Sequence, residues 1–347
     1  MRWSCRWRDR CGPSGSIPAS PLVLLDIETD QGTAGRAYLF GYTSVTLRPL
    51  CTLLDSIAPL LIGQPIAPVA VQDQLAATFK LLGRQGLLGM VLSGIDMALW
   101  DALGRLAGRA VAELLGGRCE PIAAYDSFGL VDPRADRRAL EASVQAGFKA
   151  IKIKIGAASP AEDVETVRAV RDIIGPEVQL MVDLNQSQDV ASAIRRIDRL
   201  APYQLSWVEE PVAAEDLTGH ARVRAATEVP IQTGENWWFT TDMARAIEAE
   251  ACDLAMPDLM KIGGITGWLK AMALAETASL PISSHIFPEA SAHVVPVSPT
   301  AHFLEYLDTA GPILTERLSP QNGLVTARGP GLGMDWDEAS VARYLVK

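Results

Sequence analysis

Three carboxylates recur where apolar runs stop. Asp183 lies in Met181-Val-Asp-Leu-Asn185, Glu209 in Trp207-Val-Glu-Glu-Pro211, and Glu235 in Gln232-Thr-Gly-Glu-Asn236. Gathered at one place, three negative charges repel unless a cation sits between them. A hard divalent ion with oxygen ligands and open water positions fits, so Mg2+ is the expected cofactor, with Mn2+ as a substitute. The plain alternative is three unrelated solvated carboxylates. Lys152-Ile-Lys154 adds two ammonium groups on one face of a strand, where positions i and i+2 point the same way. Their mutual repulsion, with a cation nearby, should lower a lysine pKa and make a usable base. His285, in Ile282-Ser-Ser-His-Ile-Phe287, also stands at a strand end. Asp258 closes the preceding run and can fix the imidazole tautomer and raise its basicity. Glu305 ends the last apolar run, Ala301-His-Phe-Leu-Glu305.

The elements that must position these groups alternate. Short apolar runs and amphipathic helices follow one another from Pro121 onward, which predicts α/β structure with a parallel sheet. From Lys154 through Asp183, Glu209, Glu235 and Asp258 to His285, the steps are 29, 26, 26, 23 and 27 residues. Each is close to one βα unit. Chemistry at the end of every strand favours a (β/α)7β TIM-like barrel over an open sheet with one switch point. The expected organisation is an α+β capping domain over 21–117, a barrel over 118–310, and a segment over 311–347 that returns to the cap. Gly329 to Gly333 reads as a turn, and His220 as a surface residue. His293 and His302 read as packing residues.

Composition narrows the function. The 347 residues carry a formal charge of −10, which argues against a general nucleic-acid binder or a polybasic membrane-surface protein. No apolar run is expected to reach the roughly 18–20 residues a membrane helix needs. The five Cys are scattered at 5, 11, 51, 119 and 252, which argues against a zinc ribbon or disulfide framework and predicts a cytoplasmic protein. Residues 1–20 fit neither helical nor strand period. They carry Arg2, Arg6, Arg8 and Arg10 against Asp9. They read either as a disordered extension or as an out-of-frame stretch whose shifted frame would encode an apolar strand.

Taken together, these motifs resemble the enolase superfamily, and within it the mandelate racemase/muconate lactonizing enzyme family. The similar stretches are Lys149 to Gly156, Met181 to Ser187, Trp207 to Pro211, Gly234 to Trp237, Leu254 to Trp268 and Ser283 to His293. Tyr38 to Thr43 and Ile95 to Gly104 carry the likeness into the cap. The resemblance implies that Asp183, Glu209 and Glu235 hold Mg2+ and that Lys152 neutralises a substrate carboxylate. It implies Lys154 as the base on one face of the α-carbon and His285 with Asp258 on the other. It implies a protonated Glu305 donating to the carboxylate, Asn185 and Ser127 on the polar side, and Tyr42 as a lid or pocket wall.

The implied activity is racemisation of mandelate or a close 2-hydroxy acid by a homo-oligomer. Within the same superfamily, the alternative is an acid-sugar dehydratase. A third reading is a barrel without turnover. The family's opening strand and apolar lid loop should lie at residues 1–20, which do not resemble them. Phe128 stands where a polar residue is expected. Trp237, Trp238 and Phe287 are either pocket walls or core.

Overall fold

A computed structural model describes the backbone of residues 6–8 and the whole of residues 20–156 and 159–345. Its strands are β1 (Arg6–Arg8), β2 (Leu22–Glu28), β3 (Ala34–Phe40), β4 (Ile122–Leu130), β5 (Ala150–Lys154), β6 (Gln179–Asp183), β7 (Leu205–Glu209), β8 (Ile231–Thr233), β9 (Leu254–Ala255), β10 (Leu304–Tyr306) and β11 (Leu324–Val325). The helices of the first domain are α1 (Leu47–Ile57), α2 (Pro68–Thr78), α3 (Leu87–Ala107) and α4 (Val111–Leu114). Those of the second are α5 (Arg137–Gln145), α6 (Pro160–Ile174), α7 (Val190–Leu200), α8 (Leu217–Ala226), α9 (Phe239–Glu248), α10 (Leu259–Ile262), α11 (Gly264–Thr277) and α12 (Pro288–Val294). A last helix, α13 (Glu338–Arg343), ends the chain's described part.

The cap is an antiparallel sheet in the order β1-β2-β3 with α1 to α3 packed against it. Most of the first twenty residues, and with them the out-of-frame reading, lie outside the described residues. Arg6 to Arg8 do pair with Leu22 to Leu24, although the sequence there has no strand period. The helix α3 corrects another expectation. By length and composition it could cross a membrane, with a mean hydropathy of 1.4 in its most apolar window. That window is 89% buried inside the protein, so its apolarity serves the cap core. Cys51 on α1 is disulfide-bonded, whereas Cys119 and Cys252 are free.

The second sheet is curled and mainly parallel, with strand order β10-β4-β5-β6-β7-β8-β9. Isolated parallel bridges join Ala255 to Ile282 and Ile282 to Ala301, across the gap between its two ends. Alternation along the strands separates two faces. Ile151, Ile153, Leu180, Val182 and Val208 pack outward with Val167, Val170 and Ile197 of the surrounding helices. Ala150, Met181 and Trp207 point inward and meet Tyr125 and Phe303 in a second, buried cluster. One pleat further along, the inward positions are Lys152 and Lys154, Asp183 and Glu209. The period of two therefore places charge directly above an apolar layer.

The C-terminal segment meets both parts. β11 pairs with β4, while Trp336 Nε1 donates to Asp26 of β2 at 2.7 Å and Leu332 N to Asp101 of α3 at 2.6 Å.

Candidate active site

Strand register gathers the acidic residues. Lys154 pairs with Asp183, and Asp183 with Glu209; Glu209 pairs with Gln232, three residues before Glu235. All three carboxylates are buried. Lys152 Nζ lies 2.6 Å from Glu209 Oε1 and 2.8 Å from Glu305 Oε1. Lys154 Nζ lies 3.2 Å from Asp183 Oδ2. His285 faces two acids: Nδ1 is 2.6 Å from Asp258 Oδ2, and Nε2 is 3.2 Å from Glu235 Oε2. Asp258 does two jobs, since its other oxygen accepts from Met260 N at 2.6 Å and caps α10.

Two groups are biased by their protein neighbours in the direction opposite to that expected beside a bound cation and substrate. Lys154 is raised. Burial and Lys152 pull it down, and Asp183, Glu235 and Glu209 outweigh them. Glu305 was expected to be protonated. Burial pushes it up, yet Lys152 and His285 pull harder and hold it at about 2. It accepts from Ser127 Oγ at 2.7 Å and from Ile286 N at 2.9 Å, so its lone pairs face donors. Lys152 is held well above its ordinary value: burial lowers it, but Glu209 and Glu305 dominate. His285 is pushed up to about 9, because Glu235 and Asp258 outweigh burial.

The structure brings Lys152, Lys154, Asp183, Glu209, Glu235, Asp258, His285, Glu305 and Ser127 into one connected group. Asn185 is exposed, with its backbone N–H on Asp183 Oδ1 at 2.7 Å. Tyr42 of the cap, at a positive φ of 57°, has its ring centre 4.7 Å from Lys261 Nζ. Phe128 packs on the outer apolar cluster. Trp237 and Phe287 are core residues, the latter stacked on Tyr38 at 5.0 Å, and Trp238 packs on the cap core. His220 is fully buried, not at the surface, and its Nδ1 bonds Asp216 O at 3.0 Å.

Four nearby residues escaped the sequence reading. Glu210 is buried and accepts from Gln186 Nε2 at 2.9 Å and from Asn236 Nδ2 at 2.7 Å. Asn236 also donates to Glu235 Oε1 at 3.2 Å and accepts from Lys261 Nζ at 2.6 Å. The available signals were adjacency, at Glu209-Glu210 and Glu235-Asn236, and the one-turn spacing of Asp258 and Lys261.

The donor set suits a hard cation. Asp183 Oδ2 is buried without a hydrogen bond and faces the Lys154 ammonium at 3.2 Å. Among the described residues, no three His, Cys, Asp or Glu side chains are placed to hold a metal ion as they stand. Lys152 on Glu209 and His285 on Glu235 hold oxygens that such an ion would take.

The family profile for the enolase C-terminal domain-like fold matches residues 135–340. That for the mandelate racemase/muconate lactonizing enzyme N-terminal domain matches 13–116. A D-galactarolactone cycloisomerase from Agrobacterium fabrum is 35% identical, over 93% of this chain and 90% of that protein. Among solved structures, an enolase from Bradyrhizobium complexed with magnesium and mandelic acid is 52% identical, with a TM-score of 0.98 over 100% of this chain and 98% of that one. An L-talarate dehydratase from Polaromonas sp. JS666, complexed with Mg and L-glucarate, is 29% identical, with a TM-score of 0.89 over 100% and 98%. With both domains matched and the acidic strand ends in register, the chain belongs to the mandelate racemase/muconate lactonizing enzyme family of the enolase superfamily.

Proposed function

We propose that the protein, with Mg2+ bound, removes the α-proton of a 2-hydroxy carboxylate and returns it to either face, racemising the acid. The observation that carries this reading is the placement of two candidate bases around one nest of carboxylates. Lys154 ends β5, and His285 lies beside the bridge at Ile282, with β4 and β10 between them. In this reading the segment at Ile282 completes a closed (β/α)7β barrel.

Held by Asp183, Glu209 and Glu235, Mg2+ would supply positive charge to the substrate oxygens that become more negative when the proton leaves. Lys152 neutralises the substrate carboxylate from its seat between Glu209 and Glu305. Lys154 Nζ takes the proton on one face as the C–H electron pair moves toward the carboxyl carbon, giving an enediolate. His285 Nε2 serves the other face, because Nδ1 is committed to Asp258. Delivery of a proton by the base that did not remove one inverts the centre. Lys154 acts as a base once the charge of Asp183 is shared with a cation, which leaves burial and Lys152 to lower its pKa.

The second reading is an acid-sugar dehydratase, favoured by the glucarate-bearing L-talarate dehydratase neighbour. There the same enediolate expels a 3-hydroxyl, which takes its proton from His285.

Proton NMR of single-enantiomer mandelate in D2O, followed by chiral analysis, separates the readings. Loss of the α-proton signal with racemisation, abolished by a chelator, is expected. No exchange on mandelate, with a keto-acid formed from a galactarate or talarate panel, would replace the first reading by the second.

A further inference from the structure

Lys261 sits on α10, one turn past Asp258, and is only 5% exposed. Its Nζ donates to Asn236 Oδ1 at 2.6 Å and stands 4.7 Å from the ring centre of Tyr42. Both partners are neutral. Lys152, by contrast, is paired with two carboxylates and Lys154 with one. An amide oxygen and an aromatic face stabilise an ammonium without cancelling its charge. Lys261 therefore differs from the other two lysines in keeping its field.

The amide between Lys261 and the acids is oriented. An ammonium only donates, so Asn236 turns Oδ1 toward it and Nδ2 toward Glu235 and Glu210. A lysine bonded directly to Glu235 would occupy oxygens that a metal ion needs. One amide removed, it touches neither of them itself, the amide Nδ2 standing on Oε1, and it still contributes positive potential. Two hydrogen bonds, Lys261 to Asn236 and Asn236 to Glu235, connect that potential to the carboxylate.

We propose that Lys261 is a specificity-determining positioning residue: an unneutralised ammonium, acting through Asn236, that draws an anionic acid into the site and weakens binding of the bare divalent ion. The proposal rests on the metal and substrate placement given above. Its signature is a pair of opposite effects, because removing one positive charge favours a cation and disfavours an anion at the same place. Loss of packing alone would weaken both.

The test uses Lys261→Met, which keeps length without charge, and Lys261→Arg, which keeps charge. Titration calorimetry with Mg2+ alone should give a Kd at least about threefold lower for Lys261→Met, and KM for the acid that exchanges its α-proton should rise by at least about threefold. Lys261→Arg should restore both to within about twofold. If Lys261→Met gives no cooperative melt, Lys261→Gln, which retains a donor for Asn236, carries the same comparison. An unchanged or raised Mg2+ Kd in the charge-free variant overturns the proposal and leaves the metal site standing. A Glu235→Gln variant that binds Mg2+ as the wild type does would overturn both together.

Discussion

His285 Nδ1 and Asp258 Oδ2 lie 2.6 Å apart, and the same carboxylate caps α10 through Met260 N. The imidazole is thus fixed from a rigid helix start, with Nε2 left to face the site. Replacing Asp258 by Asn keeps the shape but offers an amide where an anion stood. Proton exchange on the face served by His285 should fall by about a hundredfold or more, while exchange on the Lys154 face changes far less. Deuterium uptake measured separately for the two enantiomers checks this; equal losses would count against a one-sided role.

Lys152 is the only described cation within 4 Å of both Glu209 and Glu305. Lys152→Met leaves two buried acids without it and should lower stability by about 3–5 kcal/mol. Adding Glu305→Gln removes one of those acids, so the double variant should melt higher than Lys152→Met alone. A thermal melt of the three proteins decides it.

Two buried carboxyls join the cap to the second domain. Asp96 of α3 accepts from Thr266 N and Oγ1, and Glu289 of α12 accepts from Tyr38 OH at 2.8 Å. Burial raises both from the ordinary carboxylate range to about 7. Their contribution is fully present below the unfolded values and is lost as pH rises through about 7. The stability of the seam between the two domains should therefore decline from about pH 4 to pH 7. For Glu289 the change is about 3 kcal/mol. Melts of wild type and Glu289→Gln across this range should converge at low pH and separate above it, with the variant the more stable.

Gly264 is fixed by two constraints. Its φ is +68°, and an added Cβ would lie 2.4 Å from Asp96 Oδ2. Gly264→Ala should cost about 2–3 kcal/mol through strain and loss of the Asp96–Thr266 contact. Chemical denaturation measures it, and a loss below 0.5 kcal/mol would show that the seam yields.

Much of this site was legible because a strand repeats every two residues and a βα unit every few dozen. Lys152 and Lys154 share a face by that rule, and Asp183 and Glu209 fall in register at neighbouring strand ends. Lys261 and Asn236 were not legible as a pair, since they meet across different βα units and their significance lies in being neutralised or not. The hydrogen-bonding of Glu305 was not legible for a related reason. Its donors Ser127, Lys152 and Ile286 come from three separate segments, and no local motif announces their sum. His220 looked solvated because its polarity was visible and its bond to a backbone oxygen was not.

The apolar layer of Ala150, Met181 and Trp207 lies directly beneath the charged ends of the same strands. Folding and chemistry thus occupy successive pleats of one piece of backbone, separated by roughly 7 Å. A lineage can rewrite the outer pleat, trading one acid or base for another, while the inner one keeps the sheet intact. Descendants of such an architecture can diverge in reaction while remaining superimposable in shape.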